Sequence, residues 1–179
     1  MPIPDWSSAC PKAPQASFNK ALNNGATPLQ MAAQCGHPAM VKVLLEAGAD
    51  ANKAFNTGCT PLQRAVQCGH PAVVKALLEA GADANKALND GCTPMQTAAQ
   101  CGHLAVVKAL LEAGVDANKA FNDGGTPLYV ASQCGHLAVV KALLGSGADI
   151  QKTDSDGSTV LMVAVFVSSK SAGAFSLYK

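Results

Sequence analysis

The tetrapeptide Thr27-Pro28-Leu29-Gln30 returns along this chain at intervals of 33 residues. The later copies are Thr60-Pro61-Leu62-Gln63, Thr93-Pro94-Met95-Gln96 and Thr126-Pro127-Leu128-Tyr129, and a degraded fifth copy begins at Thr159. The blocks 60–92 and 93–125 match at 26 of 33 positions. A fixed period of this length indicates one supersecondary unit copied along the chain, each copy burying its apolar face on its neighbours.

The first half of a unit predicts a short helix. Thr60 and Gln63 have the spacing of a capping box, and Pro61 suits the first helical turn, where its missing N–H would be unpaired anyway. Apolar residues follow at i, i+3 and i+4 and mark the buried face: Leu62, Ala65 and Val66. Gly69 stands where a glycine commonly ends a helix.

The second half of a unit predicts another helix and a long loop. His70-Pro71 begins this helix, and Gly81 ends it. Its apolar stripe consists of Val73, Val74, Leu77 and Leu78. The stretch 82–91 is rich in Asp, Asn and Gly and is interpreted as an extended turn or hairpin.

These pieces, in this order, resemble the ankyrin repeat. The residues that carry the resemblance are Thr60-Pro61-Leu62, Ala65, Gly69-His70, Val73-Val74, Leu77-Leu78, Gly81-Ala82-Asp83 and Asn85, with equivalents in the units at Thr27, Thr93 and Thr126. The resemblance implies an all-α ankyrin-like solenoid of stacked helix-turn-helix units joined by hairpin-like loops. We assign the array to residues 18–165, with a partial unit at Thr159, an irregular Pro-containing segment at 1–17 and a divergent tail at 166–179.

The units depart from the family pattern at two positions. The family usually has histidine after Thr-Pro-Leu, where this chain has Gln30, Gln63, Gln96 and Tyr129. Glutamine can keep the capping geometry. Whether it also makes the hydrogen-bond link that the histidine would make stays open. A family aspartate in the loop is retained only at Asp154 and is otherwise Leu22, Phe55, Leu88 and Phe121. Two alternatives follow: these apolar residues pack on one another between units, which we favour, or they form an exposed ridge.

Composition excludes several classes of protein. The chain has 179 residues, a net charge of +1 and an aromatic content of 4%, so neither a basic surface nor stacking platforms for nucleic acid are expected. Residues 1–10 lack the features of a secretory signal. The longest apolar run, 160–167, is far shorter than a membrane span. We therefore expect a soluble cytoplasmic protein with no nucleic-acid or membrane partner.

The histidines stand at one position per unit, at His37, His70, His103 and His136. Catalysis needs different residue types within about 3 Å of one another, and copies of one type spaced by a repeat do not converge. We predict that each histidine bonds the backbone at the turn between the two helices. No phosphate-binding loop or nucleophile elbow is present. We expect no enzyme activity, no catalytic residues and no cofactor.

The cysteines form two rows. Cys35, Cys68, Cys101 and Cys134 precede each Gly-His, while Cys59 and Cys92 stand directly before a threonine. Packed helices lie about 8–10 Å apart and a disulfide needs Cα atoms within about 7 Å, so neighbours in one row cannot bridge. A contact between the rows, such as Cys59 with Cys68, stays open. Seven cysteines without a secretory signal favour reduced thiols, and the missing Cys-x-x-Cys spacing argues against a metal site.

The resemblance also implies where a protein or peptide partner would bind, namely a concave surface of hairpin tips and first helices. Carried over by position, the predicted contact residues are Asn56, Thr57, Cys59, Arg64, Gln67, Cys68, Asn89, Asp90, Cys92, Gln100, Cys101, Asn122, Asp123, Tyr129, Gln133 and Cys134. Met31, Thr97 and Val130, which share the variable position of Arg64, extend this surface. The predicted function is a non-catalytic protein–protein interaction scaffold.

Other functions stay open at this point. The chain could be a regulatory or targeting segment of a larger multidomain protein, including an enzyme, or a cysteine-based metal or redox site. The repeated Gln-Cys pairs are also explained by recent duplication of a generic unit. Neither end of the array shows the polar face that seals a solenoid, which leaves three further alternatives: the chain is a piece of a longer array, its ends fold differently from the middle, or it self-associates.

Overall fold

Two parallel rows of short helices make up the fold. The computed structural model describes residues 26–55, 57–120 and 124–162. Within these ranges the helices with bounds at both ends are α1 (Pro28–Cys35), α2 (Pro38–Glu46), α3 (Pro61–Gln67), α4 (Pro71–Glu79), α5 (Pro94–Cys101), α6 (Leu104–Glu112), α7 (Pro127–Gln133) and α8 (Leu137–Gly145), and residues 160–162 are also helical. The first helices α1, α3, α5 and α7 contact one another in sequence, and so do the second helices α2, α4, α6 and α8. The predicted all-α solenoid is confirmed. The segments assigned to 1–17 and 166–179 lie outside the described residues.

Each first helix begins at a buried threonine in extended backbone conformation. The side chain of Thr27 accepts from Gln30 N, and the Gln30 side chain accepts from Thr27 N, which completes a capping box. Thr93 and Gln96 form the same box. In the unit of Thr60 the predicted box is only half formed. Thr60 Oγ1 accepts from Gln63 N at 3.2 Å, but Gln63 Oε1 instead accepts from the Thr97 hydroxyl of the next unit.

The glutamine at the third helical position also bonds the loop that precedes the next unit. Gln30 Nε2 donates to the carbonyls of Lys53 and Cys59, both at 3.0 Å. Gln63 repeats these bonds to Lys86 and Cys92 at 3.4 and 2.9 Å. Gln96 Nε2 reaches the Gly125 carbonyl at 3.2 Å. The link between units that the sequence left open is therefore made by glutamine.

Histidine provides a second link, in the opposite direction. His70 Nε2 lies 3.0 Å from the Gln34 carbonyl of the preceding unit, and His103 and His136 make the corresponding contacts at 3.2 and 2.9 Å. The bond is to backbone, as predicted, but it joins two units instead of staying within one turn. Gly69 makes room for the His103 ring, because a Cβ on residue 69 would lie 2.8 Å from that ring. Its φ of +72° also lies in the left-handed region that favours glycine.

The core lies between the two rows of helices. Leu62, Ala65, Val66, Val73 and Leu77 are fully buried, as the apolar spacing predicted. Equivalent residues of the other described units join them in one continuous cluster. On the outer side of the second helices, Lys75 Nζ lies 2.8 Å from Glu112 Oε2, but both side chains are more than half exposed and such a pair contributes little to stability.

The loops between units are hairpin-like. Phe55 N donates to Cys59 O at 2.8 Å, and Leu88 N donates to Cys92 O at 2.9 Å. Adjacent tips are joined by a bond from Asn89 N to Thr57 O at 3.1 Å. Phe55 and Leu88 are half-buried, whereas Leu22 and Phe121 lie outside the described residues, so packing of these side chains along the loops stays a prediction.

We predict that Gln63→Leu lowers the free energy of unfolding by about 1–3 kcal/mol, because the carbonyls of Lys86 and Cys92 lose their donor. Gln67→Leu is the matched control, since Gln67 lies on the exposed face of the same helix and should change stability by no more than about 0.5 kcal/mol. Urea unfolding of both variants gives the comparison. Equal stabilities would contradict a role for Gln63 in joining the units.

Candidate functional site

The first helices expose one face of glutamine and cysteine. We call the four pairs Gln34-Cys35, Gln67-Cys68, Gln100-Cys101 and Gln133-Cys134 the amide–thiol row; all eight residues are exposed. In each first helix, the Gln and the Cys lie three and four positions after the variable position, which is Met31, Arg64, Thr97 or Val130. The helical period therefore puts the variable position, the Gln and the Cys on one side of the helix, opposite the buried stripe. Because α1, α3, α5 and α7 pack side by side, the pairs repeat along one side of the solenoid.

The variable position contributes unequally to this face. Met31 is 39% exposed, and Arg64 and Val130 are half-buried. Thr97 is only 8% exposed, since its hydroxyl bonds Gln63 and the Thr93 carbonyl. Its predicted place on the binding surface is therefore wrong.

A groove of about 220 Å³ opens on this face between α5 and α7. Its lining residues are Cys92, Gln96, Gln100, Gly125, Tyr129, Val130, Gln133 and Cys134. It brings together five of the predicted contact residues, from two helices and two loops. Sequence reasoning missed Gln96 and Gly125. A signal for Gly125 existed, because it occupies the position of Cys59 and Cys92 without a side chain and so leaves space.

Several groups that line the groove are held by hydrogen bonds. Gln96 Oε1 accepts from Thr93 N at 3.0 Å, while its Nε2 donates to Gly125 O. The Cys92 sulfur lies 3.4 Å from the Thr97 hydroxyl. The Tyr129 hydroxyl donates to the carboxylate of Asp154 in the following loop. These groups are fixed before any partner arrives.

The Cys92 thiol in the groove and the nearby Cys101 thiol have raised pKa values. Burial raises the pKa of the Cys92 thiol; the Thr97 hydroxyl offsets this in part, and the nearby Asp90 carboxylate adds to it. Cys101 is exposed, but partial desolvation by its surroundings is still the main reason that its pKa is raised, with the neighbouring thiols Cys92, Cys134 and Cys68 adding to it. A raised pKa keeps a thiol protonated and less nucleophilic at neutral pH.

The pKa of the Asp154 carboxyl is lowered, whereas those of the Cys92 and Cys101 thiols are raised. The hydrogen bond from Tyr129 is the largest cause that lowers the pKa of its carboxyl, followed by the backbone N–H of Ser158. Donors that favour the charged form of a carboxyl lower its pKa. Tyr129 therefore connects the groove to the loop of the next unit.

Cys59 does not belong to the exposed surface. It is 7% exposed, and its sulfur lies 3.7 Å from the Thr60 carbonyl. The prediction that it contacts a partner is wrong, because its position before Thr60 places it under the start of α3. Arg64 is half-buried on the same helix, and its guanidinium donates to Gln67 Oε1 at 3.2 Å.

The loop tips are exposed where the structure describes them. Thr57, Asn89 and Asp90 are exposed, and the Asp90 carboxylate accepts from Cys92 N at 2.9 Å. Asn56, Asn122 and Asp123, which were also predicted to contact a partner, lie outside the described residues.

The described part of the chain offers no metal centre. No group of three His, Cys, Asp or Glu residues within it is placed to hold an ion. The six cysteines in this part are free, so Cys59 and Cys68 are not bridged. Among the helices in the same ranges, none has the length and hydropathy needed to cross a membrane.

Paired helices stacked at a fixed repeat, with a glycine-ended first helix and hairpin-like loops, define a helical repeat protein. A family model for ankyrin repeats, describing three copies, matches residues 10–87 and 80–154. The chain belongs to the ankyrin repeat family. No curated protein matches it. Ankyrin repeats are in general protein–protein interaction modules and are typically non-catalytic.

We predict that Tyr129→Phe raises the pKa of Asp154, because the carboxylate loses the hydroxyl donor that contributes most to its lowering. Since the folded-state pKa lies below the ordinary 3.8, the contact stabilises the fold above that pH, and the stabilisation disappears as pH falls through the folded-state pKa. NMR titration of the Asp154 side chain measures the change. Val130→Ala, at a neighbouring groove position, is the control and should leave the titration unmoved.

We also predict that iodoacetamide labels Cys59 more slowly than Cys68 in the folded protein. Cys59 is buried, and that burial raises the pKa of its thiol, whereas Cys68 is exposed. Timed labelling followed by peptide mass spectrometry gives both rates, which should converge in urea. Equal rates in the folded protein would show that Cys59 is accessible after all.

Proposed function

We propose that this chain is a non-catalytic scaffold that binds a protein or peptide partner on the face formed by the amide–thiol row and the loop tips. The observation that carries the proposal is the continuous run of exposed Gln-Cys pairs above a fully buried core. Family membership supports a binding role in general. The exposure of the row supports the proposal that this role belongs to one face.

Rigidity is the proposed mechanism. Each first helix is bonded at its start to the loop before the next unit by glutamine, and at its end to the next unit's second helix by histidine. A surface held this way loses little conformational freedom when a partner binds, so more of the contact energy appears as affinity.

We further propose that the protein works in the reducing environment of the cytoplasm. The six cysteines in the described ranges are free, and four of them are exposed. Exposed thiols of this kind persist where the surroundings keep them reduced.

The test is affinity capture from a cell lysate with the parent chain and a Cys68→Arg, Cys101→Arg double variant. Both positions are exposed members of the amide–thiol row, so the change adds two charges to this face without entering the core. The matched control is Ala72→Arg, Ala105→Arg, which adds the same charges to exposed positions of α4 and α6. Circular dichroism melts establish that both variants fold.

We expect a partner that the parent and the α4/α6 control retain and the row variant loses. A partner set that is identical for all three proteins, or one lost only by the α4/α6 control, would contradict binding on the amide–thiol row.

A further inference from the structure

We infer that the groove between α5 and α7 receives an uncharged, extended stretch of the partner polypeptide and discriminates against acidic ones. This inference rests on the proposed function, because it names the chemistry of the partner at one point of the same face. Charge, hydrogen-bonding capacity and size each support it.

The charge distribution favours an uncharged occupant. None of the eight residues that line the groove carries a formal charge. The Asp90 carboxylate adjoins Cys92 at one border, and the Asp154 carboxylate adjoins Tyr129 at another. An acidic side chain entering the groove would lose water without finding a charge partner there and would meet these two carboxylates, which is unfavourable.

The hydrogen-bonding groups suit a polypeptide backbone. Gln100 and Gln133 are exposed, and each carboxamide offers two N–H donors and one carbonyl acceptor. These complement the alternating C=O and N–H groups of an extended chain. The Gln96 carboxamide also lines the groove, but it is already engaged by Thr93 and Gly125. The exposed amides of Gln100 and Gln133 are therefore the groups that a strand-like segment would meet.

The small volume of the groove indicates that it holds only a short part of a larger partner. Its volume of about 220 Å³ is smaller than the roughly 300–1,000 Å³ of typical small-molecule sites. The half-buried Tyr129 and Val130 supply aromatic and aliphatic surface to its lining. Tyrosine is among the residues that most often dominate binding energy at interfaces. One or two small uncharged side chains of a partner segment fit such a space.

The test begins with a displayed library of random linear peptides selected on the parent chain. We expect the enriched peptides to be depleted in Asp and Glu relative to the starting library. One enriched peptide is then synthesised, and its Kd is measured by fluorescence polarisation. Gln133→Glu removes an amide donor and adds a negative charge at the groove, and Cys134→Arg fills it.

The controls add the same charges outside both the groove and the amide–thiol row. Ala105→Glu and Ala105→Arg place the two charged side chains at an exposed position of α6. We expect the groove variants to weaken peptide binding by about tenfold or more, the size of effect seen at dominant interface residues, and the α6 variants to leave Kd unchanged. Circular dichroism melts confirm that all four variants fold.

Three results would overturn the inference: enrichment of acidic peptides, no enrichment over the starting library, or equal weakening by the α6 variants. If the lysate partner still depends on Cys68 and Cys101 in that case, the groove inference alone has failed and the proposed function stands. If instead the lysate partners bind the Cys68→Arg, Cys101→Arg variant as well as the parent, while the selected peptides depend on the groove, then binding is confined to the groove. The proposal that the whole amide–thiol row binds the partner is wrong in that case.

Discussion

The structure depends on a buried carboxamide that bonds beyond its own unit. Gln30, Gln63 and Gln96 each follow a threonine cap by three residues and donate to a carbonyl of the next loop. That loop ends at the threonine that starts the next first helix, so fixing it fixes where the helix begins. A buried carbonyl without a donor would cost about 1–3 kcal/mol, and the repetition of this bond holds the units in one register.

This arrangement also decides which residues remain for binding. Thr60, Leu62 and Gln63 are buried, and Pro61 has no N–H to offer. What faces outward is the Gln-Cys pair and, except at the buried Thr97, the variable position that precedes it. Because the variable residue is Met31, Arg64 or Val130 in the other units, the face differs from unit to unit while the frame beneath it stays the same.

Much of the fold could be predicted from the sequence because its signals are local. The threonine caps, the buried stripe and the left-handed Gly69 each follow from residues within one turn of a helix. The bonds between units could not be predicted in this way, since they join residues 29 or 36 positions apart. The same holds for the site: exposure of the Gln-Cys pairs follows from helical spacing. The burial of Cys59 and the groove depend on how neighbouring units approach one another.

The fourth unit shows how one repeat acquires a distinct surface. Tyr129 stands where the other units have the bridging glutamine. The loop residue 25 positions after it is Asp154, whereas the residues 25 positions after Gln30 and Gln63 are Phe55 and Leu88. The two exchanges belong together, because the tyrosine hydroxyl donates to the aspartate carboxylate and so restores a link to the next loop. Gly125, in place of a cysteine, leaves space beside Gln100 and Gln133, and Tyr129 lines the groove that results. The unit thus keeps its connection to its neighbour by different chemistry and gains a groove that its altered residues line.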